Sequence, residues 1–281
     1  NIDELKSIES TNVGKPVSII DFEFDLTIDN IRFFAGATRT MATQGAGEYL
    51  EDHTSYLRRE PLGVCVGIAP WNYPLNMAIW KLGPALAAGN TFILKPSELT
   101  PLSALKMAEL AADIFPAGVL NVVTGQGETL GDALVKHKDV AMVSVTGDVN
   151  TGKLIARNAA ESLKRVHLEL GGKAPVVVFD DADLELTAQT LIDMGYYNSG
   201  QDCTAPCRVI AGPKIYDDLV SALASKASGV ATGDPSNPDT AMGPLVSAEQ
   251  KERVAGMVER AVQDGAEVVA GGSAIDSSGY F

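Results

Sequence analysis

Residues 64–95 read VCVGIAPWNYPLNMAIWKLGPALAAGNTFILK, and this stretch indicates the fold class. Residues 64–68 and 91–94 are short apolar runs, rich in β-branched side chains and of typical strand length. Between them, Pro74 stands at the position favoured for the first turn of a helix, and Gly89 can end that helix. A strand, a helix and a second strand in this order predict a parallel β-α-β unit.

The same alternation continues towards the carboxyl terminus. A helix is predicted to begin at Thr100-Pro101 and to end at Phe115-Pro116. Further strands are predicted at residues 120–123, 142–145, 166–169 and 176–179. We therefore expect an α/β protein whose parallel strands are joined by crossover helices.

Three segments depart from this alternation. Residues 42–60 are polar and extended in character, so we expect a hairpin-like excursion from the main sheet, and residues 232–240 have the composition of a loop. A surface helix with one buried apolar stripe, stopped by Asp264-Gly265, is predicted from helically spaced Val254, Met257, Val258, Ala261 and Val262.

Composition excludes several classes of protein. The 281 residues are 46% hydrophobic and 21% charged, which allows one or two domains with a buried core. The apolar stretch at residues 62–71 is broken by Gly63, Gly67 and Pro70, so no membrane span is expected. A net charge of -14 disfavours nucleic acid as a partner.

Cysteine usage favours a reducing compartment, and we expect a cytoplasmic protein. The three cysteines are too few for a disulfide framework, and their spacing with the three histidines does not fit zinc, so no metal site is predicted. The chain begins inside a predicted helix and stops at Gly279-Tyr280-Phe281 without a closing element. We therefore expect a piece of a longer chain.

Three residues are candidates for catalysis. Cys203 stands in a turn of small residues, where its thiol is predicted to be reachable, whereas Cys65 is predicted to pack inside a strand. Glu169 ends a predicted parallel strand, where α/β sheets place their sites, although it could equally pair with Lys173. Asn72 follows another strand, and its amide could donate to an oxyanion or simply stabilise a turn.

Two glycine-containing turns could bind a phosphate-bearing cofactor. Residues 125–131 and 146–152 each follow a predicted strand and open a predicted helix, so either turn can direct backbone N–H groups at an anion. Neither turn matches the usual dinucleotide fingerprint. Lys95 and Glu98 end another strand, where they could bind ribose hydroxyls or form a solvated pair.

Five of these motifs occur together in a familiar order. They are residues 70–74 (PWNYP), 95–98 (KPSE), 145–152 (VTGDVNTG), 168–173 (LELGGK) and 200–203 (GQDC). In order and separation they resemble the NAD(P)-dependent aldehyde dehydrogenase superfamily, and the resemblance covers essentially all 281 residues. Residues 195–205 (GYYNSGQDCTA) are most similar to the 4-aminobutyraldehyde and betaine aldehyde dehydrogenases.

The resemblance implies a role for each candidate. Cys203 would attack the aldehyde to form a thiohemiacetal, with the Asn72 amide and the Cys203 backbone N–H as the oxyanion hole. Glu169 would activate the water that hydrolyses the thioester, which argues against a CoA-acylating enzyme. Glu98 on the ribose 2′-hydroxyl would favour NAD over NADP. Cofactor contacts are implied for Trp71, Lys95, Ser97, Glu98, Gly127, Thr146, Gly147, Asp148, Gly152, Leu170 and Gly171.

Two departures from the family pattern stand out. The family commonly has Ser where this chain has Asp148, whose charge would weaken cofactor binding unless its side chain turns away. The family's Glu-Ile/Leu-Phe-Gly-Pro stretch, whose Glu holds the nicotinamide ribose, lies beyond Phe281.

The resemblance also implies an architecture. It comprises a Rossmann-like NAD-binding domain at residues 1–41 and 61–170, an oligomerisation hairpin at 42–60, and the first part of an α/β catalytic domain at 171–281. The full-length form is expected to be a homodimer or homotetramer that acts on a small aldehyde.

The negative charge of Asp202, next to Cys203, indicates the class of substrate. A carboxylate opposes ionisation of a neighbouring thiol, so we expect Asp202 to bind the ammonium of an ω-aminoaldehyde. Its expected companions in the substrate site are Tyr73, Met77, Trp80 and Thr204. Alternatively, Asp202 pairs with Arg208 and the aromatic residues belong to the core. A betaine aldehyde or broad-specificity dehydrogenase, a cofactor-free thiol esterase and a catalytically silent homologue remain rival readings.

Overall fold

The computed structural model describes residues 1–41 and 45–281. Its helices are α1 (Ile2–Val13), α2 (Val17–Ala37), α3 (Pro74–Ala87), α4 (Leu102–Ala111), α5 (Asp132–Lys136), α6 (Val149–Ala160), α7 (Leu184–Gly195), α8 (Tyr216–Ser228) and α9 (Ala248–Gln263). Its strands are β1 (Gly47–Leu50), β2 (His53–Ser55), β3 (Val64–Ile68), β4 (Thr91–Lys95), β5 (Leu120–Val122), β6 (Val140–Gly147), β7 (Arg165–Leu170), β8 (Pro175–Val178) and β9 (Arg208–Ala211). A π-helical turn, Gly127–Gly131, precedes α5, and a 3₁₀ turn, Tyr197–Gly200, follows α7.

The chain divides into two compact units, with the boundary inside α2. We call Glu23–Leu170 the sheet unit. We call Asn1–Phe22 together with Gly171–Phe281 the cysteine unit, because it carries Cys203.

The sheet unit is built on five parallel strands in the order β5-β4-β3-β6-β7. The chain starts at β3, moves outward to β4 and β5, and then returns to the other side of β3 to form β6 and β7. Numbered from β3, this is the 3-2-1-4-5 order of dinucleotide-binding sheets, and ligands of such sheets bind at the carboxyl ends of the strands where the order reverses. That point lies between β3 and β6. The parallel sheet with its connecting helices confirms the predicted α/β class.

Apolar residues alternate along the central strand β3 and build a core on each face of the sheet. Cys65 packs in a cluster with Phe92, and Val66 packs with Val143 on the other side. Cys65 is 4% exposed, as predicted, and burial raises the pKa of its thiol. The strands therefore form where the sequence placed them, because residues buried on both faces read as short continuous apolar runs.

The end of helix α4 and the hairpin predicted at residues 42–60 agree less closely with the sequence predictions. Helix α4 ends at Ala111 rather than near Phe115, because the last residues close a turn in which both Ile114 N and Phe115 N donate to Ala111 O. Strands β1 and β2 pair antiparallel, which confirms a hairpin there, while residues 42–44 of the predicted excursion lie outside the described residues.

In the cysteine unit, β8 and β9 pair in parallel beneath α7 and α8. Their core contains Val178, Leu191 and Leu219. The amino-terminal segment also belongs to this unit: Ser18 Oγ donates to Thr240 O over 2.9 Å, and Val17 N donates to Pro235 O over 2.8 Å. The structure thus groups residues 1–22 with 171–281, whereas we expected residues 1–41 to accompany 61–170. These hydrogen bonds, formed over more than 200 residues of sequence, explain the difference.

Helix α9 corrects one prediction. The helix exists and begins at a Ser247 cap, whose Oγ accepts from Gln250 N over 3.2 Å. Its apolar stripe, however, is not buried: Val254 is 45% exposed and Met257 is 47% exposed. Helical spacing shows that apolar residues share a face, but a second element must pack on that face to bury it.

Candidate active site

Cys203 lies on a sharply turned loop after α7, and its thiol is exposed, as predicted. Three residues before it have positive φ, namely 48° at Asn198, 59° at Ser199 and 72° at Gly200. Asn and Gly tolerate this left-handed region, whereas a serine there costs about 1 kcal/mol or more. Ser199 Oγ donates to Gly243 O over 2.8 Å, which helps to hold the turn that precedes Cys203.

Gln201 anchors the same loop. Its Nε2 donates to Asn198 O over 3.1 Å, and its Oε1 accepts from Val246 N over 3.0 Å. Asn198, only 2% exposed, donates from Nδ2 to Gln201 O over 3.3 Å. The loop before Cys203 is thus fastened to residues 243–246 from both Ser199 and Gln201.

Asp202 and Thr204 flank Cys203 and hydrogen bond with each other. Asp202 Oδ1 accepts from Thr204 N over 2.7 Å and from Thr204 Oγ1 over 2.7 Å. Such a side-chain turn fixes the direction of the carboxylate. Asp202 is half-buried, so its charge is held in place beside the thiol.

Gly172, shortly after β7, backs directly onto the Cys203 loop. A Cβ atom on Gly172 would lie 3.4 Å from the carbonyl oxygen of Cys203. Gly172 is thus in van der Waals range of the Cys203 backbone.

Glu169, at the carboxyl end of β7, lies beside a buried lysine in the sheet unit. Lys81 of α3 is 4% exposed, and its Nζ donates over 2.6 Å to Oγ1 of Thr146, the residue that pairs with Glu169 across β6 and β7. Burial lowers the pKa of Lys81 to about 8, while the charge of Glu169 acts in the opposite direction. A buried ammonium group and a carboxylate therefore influence each other at the ends of β6 and β7.

A histidine precedes Glu169 by two residues on the same face of β7. His167 Nε2 lies 3.9 Å from Glu169 Oε1, and His167 Nδ1 lies 3.0 Å from Ser144 Oγ on β6. The side chains of His167 and Glu169 are 54% and 47% exposed. One ring nitrogen is thus held by a hydroxyl group while the other faces the carboxylate.

Asn72 lies in the turn between β3 and α3, at the point where the strand order reverses. The turn is fastened to the segment after β4: Ala69 N donates to Lys95 O over 3.0 Å, and Thr100 Oγ1 donates to Trp71 O over 3.0 Å. Asn72 itself is half-buried. Its amide thus stands at the edge of the sheet where ligands of such folds bind.

The predicted ribose-binding residues form a compact group after β4. Lys95 Nζ lies 3.0 Å from Glu98 Oε2, and the lysine side chain is 3% exposed against 39% for the glutamate. Burial acts to raise the pKa of Glu98, but its backbone hydrogen bond and Lys95 outweigh burial and lower it. Ser97 Oγ accepts from Leu99 N over 3.3 Å. Glu98 is therefore an ionised carboxylate at the edge of the sheet, and its partner Lys95 is buried.

The turn after β6 is the better-formed of the two candidate phosphate turns. Thr146 and Gly147 end the strand, and Asp148 caps α6 by accepting from Asn150 N over 2.7 Å. A Cβ atom on Gly152 would lie 2.7 Å from the Leu170 side chain, so a larger residue here would have to displace that side chain. The Asp148 carboxylate is thus engaged with the amino terminus of its own helix.

The other candidate turn is less regular, because a π-helical turn rather than an α-helix follows β5. No heavy atom lies within 4 Å of the Cβ position of Gly127, so its backbone is open to approach. Gly171 is open in the same sense.

Three of the residues expected in the substrate site, Tyr73, Met77 and Trp80, lie in different environments. Met77 is 7% exposed within the core cluster of Cys65, and Tyr73 packs against that cluster. Trp80 is 44% exposed. For Met77, the structure therefore favours the core alternative, since helical spacing gave all three residues one face but not equal access to solvent.

Two other features, a metal-binding cluster and a membrane-spanning helix, are absent from the part of the chain that the structure describes. Residues 1–41 and 45–281 contain no cluster of His, Cys, Asp or Glu suited to a metal ion. In the same residues, no helix is long and apolar enough to cross a membrane.

Comparison with known proteins identifies the family. The family model described as "Aldehyde dehydrogenase family" matches residues 1–281. This chain belongs to the aldehyde dehydrogenase family.

Solved aldehyde dehydrogenases superpose on this chain closely. An aldehyde dehydrogenase from Bacillus cereus, solved as an NAD+ complex, is 43% identical with a TM-score of 0.96, covering 99% of this chain and 57% of its own. Lactaldehyde dehydrogenase from Escherichia coli is 40% identical with a TM-score of 0.96, covering 99% and 59%. PnpE from Pseudomonas sp. WBC-3 is 39% identical with a TM-score of 0.95, covering 99% and 58%. The chain thus spans less than three-fifths of the length of these relatives.

Sequence reasoning missed three polar residues of this aldehyde dehydrogenase chain: Lys81, Ser144 and His167. Lys81 stands among apolar residues in a predicted helix, which is an unusual setting for a lysine and could have drawn attention to it. His167 stands two residues before Glu169, so strand alternation alone places both on one face. Ser144 gives no such signal, because only strand pairing brings it opposite His167.

Proposed function

We propose that the protein oxidises an ω-aminoaldehyde, with 4-aminobutyraldehyde as the best candidate, to the carboxylic acid using NAD+. The observation that carries this proposal is an exposed thiol, Cys203, on a fastened and strained loop in a chain of the aldehyde dehydrogenase family. Strain that the surroundings maintain is typical of functional sites.

The first step uses the thiolate of Cys203 as nucleophile. It adds to the aldehyde carbon, and the carbonyl oxygen becomes an oxyanion. The Asn72 amide and the Cys203 backbone N–H would donate hydrogen bonds to that oxyanion. The fastening of Gln201 and Ser199 would keep the thiol in place during the addition.

NAD+ is the oxidant in this proposal, and two neighbours support it: the B. cereus enzyme and PnpE were each solved with this dinucleotide. When bound, it supplies the hydride acceptor that converts the thiohemiacetal to a thioester. The residues present fit a dinucleotide, because the strand order reverses between β3 and β6 and the Cβ position of Gly147, at the end of β6, meets only one heavy atom, at 4.0 Å. The residues that would hold it are Trp71, Lys95, Ser97, Glu98, Gly127, Thr146, Gly147, Asp148, Gly152, Leu170 and Gly171.

Glu169 would complete the reaction as general base. It would take a proton from the water that attacks the thioester, releasing the acid and the Cys203 thiolate. The position of Glu169 supports this role, because it lies at the carboxyl end of β7, where sheets of this order bind their ligands.

Asp202 supports the choice of an aminoaldehyde. Its carboxylate is held by Thr204 beside the thiol, where a fixed negative charge would attract the ammonium end of a substrate. We propose that Tyr73 and Trp80 add aromatic faces for that cation. We further propose a cytoplasmic homodimer or homotetramer.

The test is NADH formation, followed by absorbance, with the native protein and with the 281-residue chain. The substrates are 4-aminobutyraldehyde, butyraldehyde, betaine aldehyde and lactaldehyde. We expect NADH from the native protein and none after Cys203→Ala. An intact, folded protein that makes no NADH from any of these aldehydes would refute the proposal, and persistent ester hydrolysis would then favour the thiol esterase.

A matched pair of variants tests the substrate class. Asp202→Asn should lower kcat/KM for 4-aminobutyraldehyde about tenfold or more and leave butyraldehyde nearly unchanged. Asp234 is the control, because its Oδ1 accepts from Ser236 N and Oγ in the same kind of turn, away from Cys203 in sequence. An equal loss on both substrates in Asp202→Asn, or the same selectivity in Asp234→Asn, would contradict the aminoaldehyde assignment.

A further inference from the structure

Strands β6 and β7 present a row of polar side chains on one face. Ser144 pairs with His167 and Thr146 pairs with Glu169 across the two strands. The row is connected by short distances: 3.0 Å from Ser144 Oγ to His167 Nδ1, and 3.9 Å from His167 Nε2 to Glu169 Oε1. His167 is therefore the neighbour of Glu169 within its own strand.

Ser144 controls how the imidazole ring is presented. It is 8% exposed, so its hydroxyl group is confined between the strands and holds Nδ1 of His167. When Nδ1 carries the proton and donates it to Ser144, Nε2 presents a lone pair towards Glu169. The ring then stands ready to accept a proton from the carboxyl group.

The surroundings leave His167 as the accessible base next to Glu169. The charged groups on this side are Glu169 itself, Lys81 on α3, and Arg165, which precedes His167 by two residues on the same face of β7. Lys81 is buried and engaged with Thr146, whereas the His167 side chain is 54% exposed. Of these groups in the described part of the chain, the histidine combines an exposed side chain with a 3.9 Å approach to the carboxylate.

We propose that His167 takes over the proton that Glu169 collects during thioester hydrolysis and passes it to solvent. The inference rests on the proposed function, because it assigns a fate to the proton of the proposed general base. The O–H bond of the protonated Glu169 breaks, an N–H bond forms at Nε2 of His167, and the imidazolium then gives a proton to water or buffer. As a class, imidazole is a stronger base than a carboxylate, which is the chemical reason for taking His167 as the proton acceptor.

The separation sets the conditions for this transfer. A distance of 3.9 Å between Nε2 and Oε1 exceeds a hydrogen bond, so the side chains must approach by about 1 Å or share a water molecule. Both side chains are half-exposed, which permits either route. His167 acts only through Glu169 and is in this sense a positioning residue.

The experiment measures hydrolysis of the thioester separately from its formation, in the native protein. Acyl-Cys203 is formed with 4-aminobutyraldehyde and NAD+, excess aldehyde is removed, and the decay of the acyl-enzyme mass is followed by quench and mass spectrometry in weak buffer. The variants are His167→Gln, which keeps a polar side chain of similar length that cannot be protonated near neutral pH, and Arg165→Gln as the control from the same strand face.

We expect His167→Gln to slow acyl-enzyme decay about tenfold, to leave the first turnover of NADH formation unchanged, and to recover when imidazole is added. Arg165→Gln should match the wild type. In a Glu169→Gln background, His167→Gln should cause no further loss. Unchanged decay in His167→Gln, an equal loss in the first turnover, or a further loss in the Glu169→Gln background would each overturn the relay. Failure of the wild type to form any acyl-enzyme or NADH would instead refute the proposed function, and the relay with it.

Discussion

Removing the buried lysine of the sheet unit should change how its stability depends on pH. Lys81 is 4% exposed, and burial lowers its pKa from 10.5 to about 8. The unfolded chain therefore keeps this proton at pH values where the folded unit has lost it. Because the unfolded state then binds more protons, the free energy of unfolding should rise between about pH 8 and 10.5.

The size of the effect follows from the same values. At about 1.4 kcal/mol per pKa unit, a fall from 10.5 to about 8 corresponds to roughly 3 kcal/mol against the folded state at neutral pH. Lys81→Met removes this cost of burying a charged group. It also removes the hydrogen bond to Thr146, and that loss offsets about 1–2 kcal/mol of the stability gained. We expect the variant to be more stable at pH 7 by about 1–2 kcal/mol and to show no rise with pH.

Tryptophan fluorescence is a suitable assay, because both tryptophans of the chain, Trp71 and Trp80, belong to the sheet unit. Urea midpoints would be measured from pH 7 to 10.5 for the wild type, for Lys81→Met and for Lys138→Met, whose lysine side chain is 87% exposed. Titration of the buried Cys65 is common to all three proteins and cancels in the comparison. An identical rise with pH in the wild type and in Lys81→Met would refute the reasoning.

Three other substitutions test the geometry of the site. Gln201→Leu should lower kcat about tenfold or more, since it removes the side-chain hydrogen bonds that fasten the Cys203 loop; steady-state kinetics with an unchanged rate would show that the loop holds without them. Gly152→Ala should lower the free energy of unfolding by about 1–3 kcal/mol, because its Cβ would lie 2.7 Å from the Leu170 side chain; urea unfolding with no change in midpoint would contradict this contact. Asp148→Ser should tighten NAD+ binding several-fold in calorimetry while keeping the helix cap, and weaker binding would show that the charge does not oppose the cofactor.

The strands of the sheet unit were predictable because a strand that is buried on both faces appears in the sequence as a short, continuous run of apolar residues. The predicted bounds of β3 agree with the structure at both ends, and β4 extends one residue beyond its predicted end. Helix caps also depend on nearby residues. Asp148 accepts a hydrogen bond from the backbone N–H two residues ahead, so both partners lie in one short segment of sequence.

The candidate nucleophile and base were also found from local sequence. Cys203 stood out in a turn of small residues, and Glu169 stood out at a strand end before paired glycines. The polar residues around Glu169 escaped notice, because Ser144 and Lys81 come from other elements and reach it only through strand pairing and helix packing. Met77 shows the opposite error, since helical spacing suggested a shared wall and packing placed its side chain in the core.

By itself, the sequence determined the α/β class, the position of most strands, and the motifs that resemble aldehyde dehydrogenases, since each of these depends on residues within about a dozen positions of one another. The tertiary structure decided the order of the strands, the grouping of residues 1–22 with 171–281, the fastening of the Cys203 loop to Gly243 and Val246, and the exposure of the α9 stripe. Those features depend on contacts between segments far apart in the chain. Periodicity records which side chains share a face, but only packing determines what that face meets.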